Sequence, residues 1–291
     1  MRYYLENNTL FIRGRFTAAS TGISGGIRQV STILNLTVPA GVDHADPGRY
    51  LDLVISRFGM GPDYFGLMTA VEMRHLCVLQ YDFVTVFLTA GVTGRTPAGP
   101  DTINIIVHSA QGLTDGAMLE GIITVTGAKA EALRNMGFGF AGTATDAVVI
   151  AHEGQVAHTY AGPATGLGRR ICAAILHGIP EALKRHQGEV VRAAPSLFVY
   201  SRYGGEHWVE WEPESCRYYP CHFPGQRCDF CYCPFYPCLD EELGQWVTGS
   251  HNGPVWNCSG CTLLHEPPVA GYLKENPEAS LKELKSRKNR R

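Results

Sequence analysis

The sequence has no apolar run long enough to cross a membrane, because glycine, threonine or charged residues interrupt its longest apolar stretches. Its first eight residues, MRYYLENN, lack the apolar core of a signal peptide. These absences predict a cytoplasmic protein, in which cysteine thiols stay reduced. The formal net charge of −2 provides no general attraction to nucleic acids or membranes.

Short catalytic signatures are missing as well. The sequence contains no G-x-S-x-G, no P-loop G-K-[ST] and no H-E-x-x-H motif. The glycine turn from Gly22 to Gly26 does not match the dinucleotide-binding fingerprint, since the third glycine and the downstream acid are out of register. No catalytic class therefore follows from a motif, and we also find no internal repeat.

The composition predicts a large domain and a small one. A chain of 291 residues with 45% hydrophobic and 18% charged residues supports a well-buried core and excludes a disordered chain. Strands are predicted at 9–13, 30–38, 66–71, 83–89, 103–108 and 146–151. Helices are predicted after Asp46, from Asp115 as cap, and after Gly166, with Pro180 kinking or dividing the last. Because several strands follow one another directly, we predict a mixed α/β sandwich, a layered α+β arrangement, rather than a doubly wound parallel sheet.

Composition shifts along the chain predict the domain boundaries. Residues 1–190 are expected to form the large domain, 191–212 a linker that becomes a strand pair, and 213–277 a cysteine-rich metal-binding domain. Residues 278–291 carry six basic residues and one acidic residue after Ala279. We interpret this segment as a frayed helix or tail at a solvated terminus, rather than as a nucleic-acid contact.

Eight of the ten cysteines lie between positions 216 and 261. They are Cys216, Cys221, Cys228, Cys231, Cys233, Cys238, Cys258 and Cys261. The two C-x2-C pairs, which begin at Cys228 and Cys258, together predict one zinc site, and the other four thiols could close a second. A disulfide framework is the alternative in an oxidising compartment, and a [4Fe–4S] cluster is the rival to zinc.

Histidines and the remaining cysteines receive simpler interpretations. His222 and His265 are reserve metal ligands within the cysteine-rich stretch. Cys77 and Cys172 are predicted to be small buried hydrophobic residues rather than nucleophiles.

Five clusters of small and hydroxyl residues are predicted to lie at strand ends or helix starts, at 20–26, 89–93, 101–104, 142–146 and 162–166. Each alone is most simply a turn. Together they predict a polar binding pocket, because glycines let the backbone approach a ligand and hydroxyl groups supply hydrogen bonds. Asn35 and Asn104 interrupt apolar strands, and a buried amide needs partners. Asp146 is a candidate general base, or else an ordinary strand-edge carboxylate.

The ordered series TGISGG, STILNLTVP, GLMTAV, TAGVTGR, DTINIIV, GAMLEGIITVTGAKAEAL, GTATDAVVIA and YAGPATGLG resembles the adenosylcobinamide amidohydrolase family over about residues 15–185. The resemblance implies hydrolysis of the amide that joins the aminopropanol arm to the corrin ring, releasing adenosylcobyric acid for coenzyme B12 salvage. This activity is typical of archaea and some bacteria. The resemblance also implies a small-molecule corrinoid partner and no organic cofactor.

The same resemblance suggests a set of site residues. We expect Asp146 to activate water or a threonine, with Thr145 beside it and Asn104 and glycine-turn amides holding the carbonyl. The expected substrate-binding residues are Thr21, Gly25, Gly26, Asn35, Thr89, Gly91, Thr102, Thr143 and Thr165. Two positions depart from the family pattern: Gly127 stands where relatives have Glu, and Gly94 where they often have Asn.

The segments 216–222, 228–238 and 255–267 resemble a cysteine-rich small domain, for which two structural zinc ions are the default expectation. Two other functions stay open at this point. If the departures from the family pattern at Gly127 and Gly94 abolish hydrolysis, the protein is a non-catalytic corrinoid carrier or regulator. If the cysteine-rich module and the basic tail act together, it binds nucleic acid in a salt-dependent way.

Overall fold

The computed structural model describes residues 1–38, 46–92, 102–201, 205–212, 216, 218–231, 233–248 and 254–288. The chain divides into two compact units, one that ends at Trp211 and one that begins at Glu212. Within these described ranges, no helix is both long and apolar enough to span a bilayer.

The first unit is built on a mixed ten-stranded sheet. Its strands are β1 (Arg2–Glu6), β2 (Thr9–Ser20), β3 (Gly26–Thr37), β4 (Tyr64–Thr69), β5 (Cys77–Tyr81), β6 (Val84–Gly91), β7 (Thr102–Ser109), β9 (Ala147–His152), β11 (Ser196–Ser201) and β12 (His207–Trp211). The order is β12-β11-β5-β6-β7-β9-β2-β3-β4, with β1 on β2. The short strands β8 (Gly112–Leu113) and β10 (Val156–His158) form a separate parallel pair.

Three helices join these strands: α1 (Pro47–Arg57), α2 (Asp115–Asn135) and α3 (Gly166–His186). Every residue of β6, β7 and β9 is buried, as expected for central strands that are covered on both faces. Ile103, Ile105 and Val107 share a core with α2 and α3. Ile106 belongs to a second core that includes residues of β2, β3 and β4.

Strands β2, β3 and β4 therefore cover the face of the central strands that is turned away from α2 and α3. A register shift between Arg13 and Phe16 marks a bulge in β2, a feature that bends a strand. Helix α1 packs on the outer side of β3 through Leu51, Val54 and Ile55. The predicted mixed α/β sandwich is confirmed.

The helix termini follow local capping chemistry. Asp46 caps α1 and Thr165 caps α3, whereas Thr114 rather than the predicted Asp115 caps α2. The prediction that Pro180 divides the third helix was wrong, because α3 runs unbroken from Gly166 to His186. The residues on either side of Pro180, such as Ile179 and Ala182, are buried, and this packing offsets the hydrogen bond that proline cannot donate.

The segment 191–212, predicted as a linker that becomes a strand pair, supplies strands β11 and β12 to the large sheet. Strand β11 pairs in antiparallel with β12, as a strand pair requires, and in parallel with β5. The guanidinium of Arg185 on α3 anchors this hairpin, since it bonds to Ser196 Oγ at 2.9 Å and to Glu210 Oε1 at 2.8 Å. The pairing with β5 makes the strand pair part of the large sheet, which the sequence did not predict.

The second unit contains β13 (Gln245–Thr248), β14 (Pro254–Asn257), α4 (Pro267–Glu275) and α5 (Leu281–Lys288). Its apolar cluster is small and consists of Leu263, Leu264, Val269, Leu273, Ala279 and Leu284. Residues 281–288 of the predicted frayed tail are helical, and Leu284 is fully buried in this cluster. Ser280 and Glu283 bond to each other at the start of α5, which satisfies its first turn.

Candidate active site

Several of the predicted polar clusters meet at one edge of the large sheet. Gly91 at the end of β6 is paired with Thr102 at the start of β7. Strand β9 runs parallel to β7, with Asn104 opposite Ala147, so Thr145 and Asp146 lie near Thr102. Thr21 follows β2 and donates its amide to Val148 O at 2.9 Å. Sheet order therefore brings together residues that are far apart in the sequence.

The carboxylate of Asp146 is the centre of this edge. Its Oδ1 accepts hydrogen bonds from Ile103 N at 2.8 Å and from Thr143 Oγ1 at 2.5 Å. Its Oδ2 accepts from Thr143 N at 3.0 Å and forms an ion pair with Lys129 Nζ. The Asp146 and Lys129 side chains are each only 8% exposed, so water screens this pair weakly.

Lys129 is a site residue that the sequence reasoning missed. It lies on α2 in the run Thr126-Gly127-Ala128-Lys129. The feature that could have identified it is a lysine placed among the buried positions of a helix. Gly142 makes the ion pair possible, because a Cβ there would lie 2.4 Å from Asp146 Oδ2 and 2.5 Å from Lys129 Nζ. Position 142 therefore has to be glycine for this geometry.

A second hydroxyl pair lies beside the carboxylate. Thr102 Oγ1 and Thr145 Oγ1 are 2.7 Å apart, with Thr102 buried and Thr145 exposed. The edge thus holds an ammonium group, a carboxylate and one hydroxyl in a shared contact network, with a pair of bonded hydroxyls beside it. Such a set can take up a proton, supply a nucleophile and offset a developing negative charge.

The two asparagines form an internal network just inside this edge. Asn104 Nδ2 donates to Asn35 Oδ1 and to Met68 O, each at 2.9 Å, and Asn35 Nδ2 donates to Thr89 Oγ1 at 3.0 Å. All three side chains are at most 2% exposed. Both N–H groups of Asn104 are donated within the protein, and its role in holding a substrate carbonyl stays a prediction. Asn104 Oδ1 has no hydrogen-bond partner among the described residues.

Of the remaining predicted binding residues, two lie near the Asp146 edge and one lies far from it. Gly25 and Gly26 lie in the turn after Thr21, where a Cβ at Gly25 would come within 2.3 Å of Ser20 O. Thr165 instead caps α3 at the end opposite His186. A helix of 21 residues is about 30 Å long, so Thr165 lies far from the Asp146 edge. The structure therefore excludes Thr165 from this site.

Two histidines lie beside Gly91 at the same edge. A Cβ at Gly91 would be 3.2 Å from His186 Nε2, and the rings of His75 and His186 are 6.1 Å apart. Burial, followed by the charge of Arg74, lowers the pKa of His75 below its usual value. The sequence gives no signal for His186 at this edge, because its contact with Gly91 exists only in the folded chain.

Several positions singled out in the sequence lie outside the described residues or make no contact at this edge. Thr93, Gly94 and Asp101 lie outside the described residues. Gly127 is exposed on α2, and a Cβ there would meet no atom within 4 Å, so its departure from the family pattern removes no contact to Asp146. Cys77 is fully buried as predicted, whereas Cys172 is only partly buried.

The cysteine-rich unit holds a second group of reactive side chains. All ten cysteines of the chain carry free thiols. Gln226 Nε2 donates to Cys221 Sγ at 3.2 Å and to Cys228 Sγ at 3.3 Å, and Gln226 is only 4% exposed. In the described part of the chain, no three His, Cys, Asp or Glu side chains are already arranged as a metal site.

Comparisons with known proteins connect both units to recognised families. The family model described as adenosylcobinamide amidohydrolase matches residues 4–190, and the one described as cysteine-rich small domain matches residues 207–288. No solved structure gives a significant match.

Three curated relatives are each similar to part of this chain. An adenosylcobinamide amidohydrolase from Methanosarcina mazei is 38% identical over 198 residues, which is 63% of this chain and 98% of the relative. One from Halobacterium salinarum is 28% identical over 182 residues, covering 56% of this chain and 78% of the relative. A probable cobalt-factor III C(17)-methyltransferase from Methanothermobacter thermautotrophicus is 51% identical over 64 residues, 22% of this chain and 17% of the relative.

Proposed function

The chain belongs to the adenosylcobinamide amidohydrolase family, and from this we propose that it hydrolyses the amide between the aminopropanol arm and the corrin ring of adenosylcobinamide. Water is added across the C–N bond, and the products are adenosylcobyric acid and aminopropanol. The protein would thereby return a salvaged corrinoid to coenzyme B12 synthesis in the cytoplasm.

The hydrogen-bonded group around Asp146 is the observation that carries the proposed chemistry. Amide hydrolysis needs a nucleophile, a proton acceptor and positive charge near the tetrahedral intermediate. Thr143 Oγ1 supplies the nucleophile, the Asp146 carboxylate is the proton acceptor, and Lys129 Nζ supplies the positive charge. Both Thr143 and Lys129 contact the Asp146 carboxylate.

We assign the steps as follows. Asp146 accepts the proton of Thr143, whose Oγ attacks the amide carbon, and the Lys129 ammonium offsets the charge that develops on the carbonyl oxygen. The C–N bond then breaks as the proton moves to the leaving amine. Water hydrolyses the resulting ester and restores Thr143. Thr145, the predicted threonine, contacts Thr102 and is assigned to substrate binding.

The turn that contains Thr21, Gly25 and Gly26 lies at the same edge and is assigned to holding the corrin. Its glycines bring backbone groups to the surface, and a corrin ring carries many amide side chains that can bond to them. Asn35, Asn104 and Thr89 support the edge from inside rather than touching substrate.

The full-length protein incubated with adenosylcobinamide should yield adenosylcobyric acid, detected by mass spectrometry. Asp146→Asn should lower kcat by at least about 100-fold, since it removes the proton acceptor. Asp52→Asn is the matched control, because Asp52 is exposed on α1 and contacts Tyr64. Tight binding of the corrinoid without any product in the unaltered protein would overturn the enzyme assignment in favour of a corrinoid carrier.

A second measurement separates the nucleophile from the base. Rapid quenching followed by intact-mass analysis should find the cobyric acyl group on the chain in the unaltered protein and in Thr143→Ser, but not in Thr143→Ala. Full activity of Thr143→Ala would show that water, rather than Thr143, attacks the amide.

A further inference from the structure

Contacts around the thiols of the second unit divide them into two sets that follow chain order. In cysteine-rich metal-binding domains, one ion is bound either by cysteines that follow one another in the chain or by two C-x2-C pairs that are distant in the chain. The sequence alone favoured the second kind, with the pairs beginning at Cys228 and Cys258 together on one ion. The contacts in the folded unit favour the first.

The first group is joined by a buried amide. Gln226 Nε2 lies between Cys221 and Cys228 and donates to both sulfur atoms, at 3.2 Å and 3.3 Å. Cys231 N donates to Cys228 O at 3.2 Å, which closes the first C-x2-C turn. Cys216 lies five residues before Cys221 and completes a set of four thiols with these three.

The second group is joined by the apolar cluster of the unit. Cys233 and Cys261 both pack against the cluster that contains Leu263 and Leu284. Cys261 N donates to Cys258 O at 2.9 Å, which closes the second C-x2-C turn. Cys238 lies five residues after Cys233 and completes a set of four thiols with Cys233, Cys258 and Cys261.

We propose that the second unit holds two separate four-thiolate sites in chain order, each binding one zinc ion. The first site consists of Cys216, Cys221, Cys228 and Cys231, and the second of Cys233, Cys238, Cys258 and Cys261. Four thiolates are the complete ligand set of a closed structural zinc site. The two C-x2-C pairs thus belong to different ions, and the boundary between the sites falls between Cys231 and Cys233.

The surroundings of the first group suit charged sulfur. Gln226 is buried, and its Oε1 accepts from His222 N at 2.8 Å and from Phe223 N at 3.2 Å, which fixes the amide so that its N–H groups point at the two sulfur atoms. Donors in this position stabilise thiolates and tune metal affinity. Among the described residues no three His, Cys, Asp or Glu side chains are already arranged as a metal site, so bound zinc would draw the four sulfur atoms of each site together. Gln226 is therefore a positioning residue of the first site.

Metal stoichiometry of paired variants tests the proposed division. The full-length protein, purified with zinc under reducing conditions, should hold two zinc ions per chain. Cys216→Ser with Cys231→Ser should retain one ion, because both changes fall in the first site. Cys228→Ser with Cys258→Ser should retain none, because each change damages a different site.

If instead the two C-x2-C pairs share one ion, these two double variants exchange results, and the proposal is overturned. Absence of zinc from the unaltered protein would also overturn it. Differential alkylation of the unaltered chain during gradual zinc removal gives the same answer without any variant. Thiols of one site should become reactive together, as mapped by peptide mass spectrometry.

The role of Gln226 has its own readout. Gln226→Met should weaken the binding of one zinc ion by about 10–100-fold and leave the other unchanged, as measured by competition with a chelator. Gln245→Met is the matched control, because Gln245 is exposed in the same unit. Equal weakening of both ions would contradict the assignment of Gln226 to the first site alone.

Discussion

The unit that ends at Trp211 buries long apolar strands under helices on one face and under other strands on the opposite face. The unit that begins at Glu212 has an apolar cluster of only six buried residues, against which Cys233 and Cys261 pack. In the first unit, apolar area removed from water is the main source of stability. In the second, so small a cluster offsets little of the entropy of ordering the chain. The comparison teaches that the two units should respond to different perturbations.

The largest difference is expected on metal removal. Treatment of the full-length protein with a chelator should unfold the second unit, because structural zinc supplies about 10–16 kcal/mol of apparent folding free energy in small zinc domains. Hydrogen exchange should accelerate in β13, β14 and α4 while β6 and β7 stay protected. Unchanged protection of α4 after complete zinc release would show that the apolar cluster suffices.

The first unit should instead be sensitive at its buried charge network. Arg185 has a fully buried side chain that is bonded to Glu181 and Glu210. Arg185→Met should lower the free energy of unfolding by about 1.5–3 kcal/mol, because it removes charge-assisted hydrogen bonds to Glu181 and Glu210 that Lys184 and Arg192 replace only in part.

Urea titration of the first unit's signal measures this loss. Arg192→Met is the control: its side chain is 37% exposed, and an exposed pair contributes about 0–1 kcal/mol. Similar losses for both variants would contradict the assigned anchoring of the β11–β12 hairpin by Arg185.

The active edge of the first unit should be sensitive at Gly142. Gly142→Ala should lower kcat about 100-fold, because the added Cβ displaces the Asp146–Lys129 pair. Gly127→Ala should leave kcat unchanged and raise the free energy of unfolding by about 0.5–1 kcal/mol, as alanine does in an exposed helix interior.

Gly127→Glu, which restores the residue of the family pattern, should likewise leave kcat unchanged, since the side chain would face solvent. A large gain in activity for that variant would place position 127 in the site after all. Steady-state assays of adenosylcobinamide hydrolysis measure all three variants.

A smaller effect is expected from acid. Burial opposes ionisation of Glu210, but hydrogen bonds from Arg192, Ser196 and Arg185 lower its pKa to about 2. The folded-state pKa lies below the unfolded value of 4.5, so its contribution to stability is complete above about pH 4.5 and is lost as pH falls toward 2.

In Glu210→Gln, the free energy of unfolding should depend less on pH in this window. Glu189→Gln is the control, because Glu189 is exposed just before β11. In this variant the free energy of unfolding should keep its original dependence on pH. Matching slopes for the two variants would contradict the role assigned to Glu210.

Local patterns predicted much of the fold. Strand β7 was predicted at 103–108 and runs from Thr102 to Ser109, because β-branched residues in an apolar run specify a buried strand wherever it lies. The cap at Asp46 and the end of α2 before Gly137 were predicted for the same reason, since capping depends on side chains within one turn. The eight clustered thiols were also evident from spacing alone.

Tertiary structure decided which of these elements meet. Asn35 and Asn104 are 69 positions apart and bond only because β3 and β7 face each other across the folded sheet. Lys129 and Asp146 meet because α2 packs on β9, and Thr165 is excluded because α3 carries it to the far end. The proposed division of the thiols likewise rests on the contacts of Gln226 and of the apolar cluster in the folded unit. Sequence periodicity determines which face of an element is buried, whereas partners distant in the chain depend on sheet order and register.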